Sequence, residues 1–168
     1  MLKNSPNIGT GTVTMRGDTR VLPVGQFFRK TKINELPQLI NILVGDMSII
    51  GPRPLTEQTF GAYPDASQKI ITLVRPGLSG VGSIIFRGEE EIMYGATASV
   101  DFYDCVIAPY KGALEEWYVA NKGLYICFIA IGLTVWNVLL PKTSVHWRLF
   151  EKLPKPPVEL EGPLNYPS

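Results

Sequence analysis

The 168-residue sequence predicts an α+β fold dominated by helices, with little sheet. Three observations carry this expectation. Leu36, Leu39, Ile40 and Leu43 recur at i, i+3, i+4 and i+7, which places them on one face of a helix. Residues 123–140, GLYICFIAIGLTVWNVLL, form a long uncharged apolar run. Segments with strand character, residues 12–14 and 83–86, are short and lie among Gly and Pro turns.

Taken in order, residues 1–20 are polar and Gly/Thr-rich and read as loop with a weak strand. They lack the basic start, apolar core and cleavage site of a secretory signal. The first helix begins near Glu35 with Asn34 as its N-cap. Pro37 is tolerated only in a first turn, where its missing N–H has no intrahelical partner, and Gly45 ends the helix. GDMSIIGPRP, residues 45–54, reads as an ordered loop in which Pro52 and Pro54 stiffen the chain around Arg53. Residues 55–74 look helical with a Pro64-Asp65 turn, and RPGLSG, residues 75–80, is a second rigid turn carrying Arg75. An acidic helix begins at residues 89–93, and residues 114–121 are helical before the apolar run. The prolines after residue 151 predict an extended, mobile tail. The chain thus divides into one domain over residues 1–150 and a Pro-rich tail over residues 151–168.

As a helix the apolar run would reach about 27 Å, slightly less than a hydrocarbon core of about 30 Å. Asn137 interrupts it. A buried core helix and a membrane-contacting helix are both open. Trp136, Lys142, Trp147 and Arg148 beside the run favour the headgroup level, so contact with membrane lipids is the expectation.

Sixteen basic against 15 acidic residues, a formal charge of +1, give no global attraction to nucleic acid. Cys105 and Cys127 lack CxxC spacing and His146 is the single histidine, so neither a disulfide framework nor a zinc site is suggested, and a reducing cytoplasm fits. Any anion site must be local. Arg29, Lys30, Lys32, Arg53, Arg75 and Arg87 lie near turns or a helix start, and Gly45, Gly51, Gly77 and Gly80 can bring backbone N–H groups near a ligand. With the helix N-terminus near Asn34, this composition suits a phosphate. Taken singly, each arginine is better explained as a structural or solvated surface cation.

FRKTKINELPQLINILVGDMSIIGPRP over residues 28–54, VRPGLSG over 74–80 and EEWYVAN over 115–121 resemble, in order and spacing, the bacterial sugar transferase family of monotopic phosphoglycosyl transferases. The resemblance covers roughly residues 17–141. It implies a membrane-associated domain on the cytoplasmic face of the bacterial inner membrane. The implied reaction takes a nucleotide diphosphate sugar and polyprenyl phosphate, requires Mg²⁺, and leaves a polyprenyl-diphosphate sugar and nucleoside monophosphate. Such chemistry opens exopolysaccharide, capsule or O-antigen synthesis. Carried onto this sequence, the resemblance makes Glu35 and Asn34 the catalytic pair, Arg53, Arg75, Lys30 and Arg87 the phosphate ligands, and Glu35 and Asp46 the metal ligands.

The sequence departs from the family pattern where the chemistry is centred. Family members carry Asp-Glu before LPQ, with the aspartate as covalent nucleophile, whereas this chain has Asn34-Glu35. An amide oxygen is a poor nucleophile. Three alternatives stand: Glu35 attacks, the polyprenyl phosphate attacks directly while Glu35 holds Mg²⁺, or the chain is an inactive membrane-bound partner that binds lipid phosphate or nucleotide sugar. Cys127 occupies the position of a frequent family acidic residue. Because the family's hydrophobic membrane helix and basic segment precede the matched region, an N-terminally truncated member is expected.

Overall fold

The computed structural model describes Val24, residues 36–87, Ile92, residues 100–139 and residues 144–167. Asn34, Glu35 and Lys30, the strand expected at residues 12–14 and most of the acidic helix expected at 89–93 lie outside the described residues.

Two three-residue strands, β1 (Ser48–Ile50) and β2 (Gly77–Ser79), pair in parallel, with Ser48 opposite Gly77 and Ile50 opposite Ser79. A parallel pair needs a crossover connection. Helices α2 (Glu57–Gly61) and α3 (Asp65–Ile71) provide it, separated near Pro64 as the sequence predicts. Thr56 starts α2 by accepting the Thr59 N–H at 3.3 Å. Helix α1 (Leu36–Val44) precedes β1 and ends as expected at Gly45, whose φ of +95° is natural only to glycine. There the Asn41 carbonyl accepts the N–H groups of Gly45, Asp46 and Met47 at 2.9–3.1 Å. Residues expected to form two plain loops therefore also supply the sheet, which is the helix-dominated α+β arrangement with its small share of strand.

Residues 83–86, expected as a strand, belong instead to helix α4 (Val81–Ile85) and the turn after it. The segment is apolar and buried on nearly every side, so it displays neither the helical nor the strand period. Helix α5 (Ala108–Asn121) begins six residues earlier than the expected residue 114, with Pro109 in its first turn, and follows a helical turn (Val100–Phe102) and a π-helical turn (Tyr103–Ile107). Val81, Ile107, Ala108 and Leu114 on these elements have no exposed surface and centre the core.

Helix α6 (Leu124–Leu139) is the apolar run, 16 residues or about 24 Å long. Among the described residues no helix is long and apolar enough to cross a membrane. One face of α6 is core: Ala130, Leu133 and Asn137, at i, i+3 and i+7, are buried. Asn137, the interruption seen in the sequence, donates its side-chain N–H to the Ile84 carbonyl at 3.2 Å, serving a group at the C-terminal end of α4. The Ser79 and Thr134 hydroxyls meet at 2.9 Å, tying α6 to β2. The other face is apolar and open: Leu124 is 79% exposed and Phe128 72%, with Tyr125, Val135 and Trp136 beside them.

The tail expected to be extended and mobile packs onto α5. Helices α7 (His146–Leu149) and α8 (Val158–Glu161) bracket a turn-rich segment, and Phe150, Leu160 and Leu164 are core residues. Trp117 meets Phe150 edge-on at 5.5 Å, and the Tyr110 hydroxyl donates to the Pro154 carbonyl at 2.8 Å. Trp147 donates its indole N–H to the Leu164 carbonyl at 3.2 Å and stacks edge-on with Tyr166, so its polar edge is satisfied within the domain rather than left for headgroups.

Candidate functional site

Arg53 and Arg75 lie on two loops that the strand pair brings side by side. The ladder runs past β1: Gly51 N–H donates to the Ser79 carbonyl at 2.9 Å, and Gly77 N–H donates to the Pro52 carbonyl at 2.8 Å. On the opposite side Ser48 N–H donates to the Pro76 carbonyl at 2.9 Å, and the Ser48 hydroxyl donates to the Ile50 carbonyl at 2.8 Å. These bonds change the meaning of the glycines. The N–H groups of Gly51 and Gly77, candidates for a ligand from sequence, are spent on the fold.

What these glycines supply is room. A Cβ on Gly77 would lie 2.1 Å from the Gly51 nitrogen, and one on Gly80 would lie 2.3 Å from the Gly51 carbonyl oxygen. No side chain fits at such distances, so GPRP and RPGLSG are locked backbone to backbone. Arg53 is exposed between buried Pro52 and exposed Pro54. It lines a shallow cleft of about 170 Å³ whose walls, Pro52, Leu55, Phe60, Ile71 and Val74 among them, are mainly apolar. Pro76 closes the same cleft, so the residues on both sides of Arg75 border the Arg53 site. The Arg75 guanidinium reaches the other way: its Nη1 lies 3.8 Å from where a Cβ of Gly45 would stand, beside the carbonyl end of α1. A cation there is favoured by the helix dipole.

Asp46 is exposed in the loop that Arg75 approaches, and it is the only carboxylate in residues 45–54 and 74–80. Arg87 is exposed after α4 and lines no part of the cleft. The structure thus brings together the loops of Arg53, Arg75 and Asp46 and leaves Arg87 outside that group. Among the described residues no three His, Cys, Asp or Glu side chains gather into a metal site. Mg²⁺ does not need three, because it binds through one or two carboxylates together with substrate phosphates and water. An exposed Asp46 is chemically compatible with that donor set.

Sequence reasoning missed the residues that hold the loops from behind. On α5, the Tyr118 hydroxyl donates to the Ile50 carbonyl at 2.8 Å, and the Glu115 carboxylate, only 5% exposed, accepts the Gly82 N–H. Burial pushes Glu115 up to about 7, against smaller opposing effects from the Gly82 N–H and the Lys111 charge. The available signal was an acidic residue flanked by Leu114 and Tyr118 on an otherwise buried stripe.

Comparison with known proteins gives these loops a lineage. The family model described as bacterial sugar transferase matches residues 1–141. The chain is 32% identical over 111 residues to the undecaprenyl-phosphate galactose phosphotransferase of Salmonella typhimurium, covering 66% of this chain and 20% of that protein. It is 38% identical over 133 residues to the exopolysaccharide production protein ExoY of Rhizobium meliloti, covering 79% of this chain and 51% of that one. With the UDP-N-acetylgalactosamine-undecaprenyl-phosphate N-acetylgalactosaminephosphotransferase of Aeromonas hydrophila it shares 34% over 142 residues, 83% of this chain and 30% of the other. The chain therefore spans between a fifth and about half the length of these relatives.

Proposed function

This chain belongs to the bacterial sugar transferase family, and on that premise we propose that it transfers a sugar-1-phosphate from a nucleotide diphosphate sugar to polyprenyl (undecaprenyl) phosphate. The step would be the first membrane reaction of exopolysaccharide, capsule or O-antigen synthesis. The observation that carries the reading is the backbone lock between Gly51 and Gly77, which holds an exposed Arg53 beside the Arg75 loop, while Arg75 itself approaches Gly45, next to Asp46. Relatives named for undecaprenyl-phosphate phosphotransfer support the same chemistry.

In this reading rigid loops and fixed charge contribute most of the rate enhancement, because phosphoryl transfer asks for positioning and charge neutralisation. Arg53 takes phosphate oxygens with a guanidinium whose backbone is braced by two prolines, and Arg75 and Lys30 add positive charge, whereas Arg87 stands outside this group. Glu35 supplies the essential carboxylate. Mg²⁺, held by Glu35 and Asp46, would neutralise the diphosphate when bound. The acceptor requires a lipid surface, which this reading puts at the cytoplasmic face of the inner membrane, and the exposed apolar faces of α1, where Leu43 is 86% exposed, and of α6 support contact with such a surface.

One specific observation favours a second reading. Asn34 stands where the family has its nucleophilic aspartate, so an inactive partner that binds nucleotide sugar or lipid phosphate is the alternative. Turnover separates the two. Membranes carrying the full chain are given nucleotide sugars and undecaprenyl phosphate, and Mg²⁺-dependent release of nucleoside monophosphate is the expected result. Release of nucleoside diphosphate would exclude phosphosugar transfer. Binding without turnover would establish the second reading.

A further inference from the structure

Helix α5 grips the strand pair twice. Tyr118 bonds β1 at the Ile50 carbonyl, 2.8 Å away, and Glu115, one turn earlier, closes on the first turn of α4, which follows β2. A Cβ on Gly82 would stand 2.6 Å from Glu115 Oε1, so glycine at 82 is what admits the carboxyl to the backbone there. Glu115 Oε2 is buried and has no hydrogen-bond partner among the described residues. A leucine would fill this space without burying a carboxyl, which is costly unless its polar atoms are paired. The carboxyl therefore asks for a role beyond filling volume.

The contacts beyond Glu115 lead to the arginines without slack. Gly82 follows Gly80, whose Cβ position is 2.3 Å from the Gly51 carbonyl oxygen. The Cβ position of Gly51 is in turn 2.8 Å from the Arg75 carbonyl oxygen, and Pro52, next to Arg53, accepts from Gly77. In a close-packed chain of backbone contacts, a shift at one end is passed on rather than absorbed.

We propose that Glu115 is a positioning residue for phosphosugar transfer, setting through the Gly80–Gly82 turn the geometry in which the Arg53 and Arg75 loops receive a diphosphate. The inference rests on the phosphate-binding reading of those two loops. Burial opposes the charge on Glu115 more strongly than the Gly82 N–H and Lys111 favour it, so ionisation strains this site and the neutral carboxyl is the aligned form. Glu115 titrates near neutral pH, at about 7. The ionisable groups on its own helix and on the elements packed against that helix are Tyr110, Lys111, Glu116 and Tyr118 on α5, Tyr103, Asp104 and Cys105 on the π-turn, and Asp65 and Lys69 on α3, with Cys127 on α6 coupled to Tyr118. β1, β2 and α4 contribute no acidic or basic side chain.

The test is UDP binding, with Mg²⁺, to the full chain in membranes between pH 6 and 8.5. Wild-type Kd is expected to rise about tenfold across this range as Glu115 ionises, a rise that Glu115→Gln abolishes. Glu115→Leu, which cannot accept the Gly82 N–H, should weaken binding about tenfold at every pH. Superimposable wild-type and Glu115→Gln profiles overturn the proposal even if Glu115→Leu fails to fold. So does wild-type affinity in a folded Glu115→Leu. Arg53→Ala and Arg75→Ala complete the set: if both bind UDP as wild type does, or wild type does not bind it saturably, the phosphate reading itself falls. If the arginine variants are impaired and the Glu115 variants are not, the positioning role alone is lost.

Discussion

The Tyr118 hydroxyl donates to the Ile50 carbonyl across 2.8 Å, joining positions 68 residues apart within the buried interior. Removing it with Tyr118→Phe leaves the ring packed and the carbonyl with the Ser48 hydroxyl as its remaining donor. The expected cost is about 0.5–1.5 kcal/mol, read as a lower midpoint in thermal or denaturant unfolding. An unchanged midpoint would mean that the bond contributes nothing net.

Two glycines should respond in opposite directions. Gly77→Ala drives a Cβ to 2.1 Å from a backbone nitrogen and should prevent the strand pair from closing, seen as loss of soluble or detergent-extractable folded protein. Gly132, in the middle of α6, has nothing within 4 Å of its Cβ position. Gly132→Ala should raise stability by about 1 kcal/mol through helix propensity.

Stability against pH should show two opposed effects in one window. Glu115 is pushed up from 4.5 to about 7, so the folded state binds the extra proton and its stability falls as pH rises between those values. His146 is pushed down from 6.5 to about 4 by burial, and neither ring nitrogen has a hydrogen-bond partner among the described residues. Its contribution is complete above pH 6.5 and is lost as pH falls towards 4. Each effect is roughly 3 kcal/mol at most, so the wild type should be nearly flat from about pH 4.5 to 6.5. Glu115→Gln should slope upward with pH and His146→Phe downward. Parallel slopes for both variants would contradict the assignment.

Removing residues 151–168, or Leu160→Ala alone, tests the packed C-terminal segment. Leu160 has no exposed surface, so its truncation should cost about 2–5 kcal/mol. If the midpoint does not move, the segment is an appendage rather than part of the core.

The legible part of this protein was its local grammar. Helix α1 ends where Gly45 requires it, and Pro64 divides α2 from α3. Non-local pairings were hidden. β1 and β2 are three residues each, too short to display alternation, and their partnership rests on glycines that look like turn formers until their mutual distance is known. Glu115 was hard to read for a related reason: one of two adjacent acids on a helix, it reads as solvated until its burial is known, despite its apolar flanks. Arg53 and Arg75 were legible as braced cations, but not that Arg75 turns towards the end of α1 while Arg53 lines the cleft. The tail misled because prolines raise the odds of extension, whereas Phe150, Leu160 and Leu164 supply enough apolar surface to pin it.

Asn137 gives α6 something that its apolar residues cannot. A greasy helix can roll or slide against a greasy neighbour with little change in energy, since one aliphatic contact resembles the next. The bond from Asn137 to the Ile84 carbonyl works as a rotational key: turning α6 by one residue, about 100°, would strand both polar groups in the interior. The orientation of the outward stripe, Leu124, Phe128 and Val135, is therefore fixed from the inside by this amide together with the Thr134 hydroxyl on Ser79.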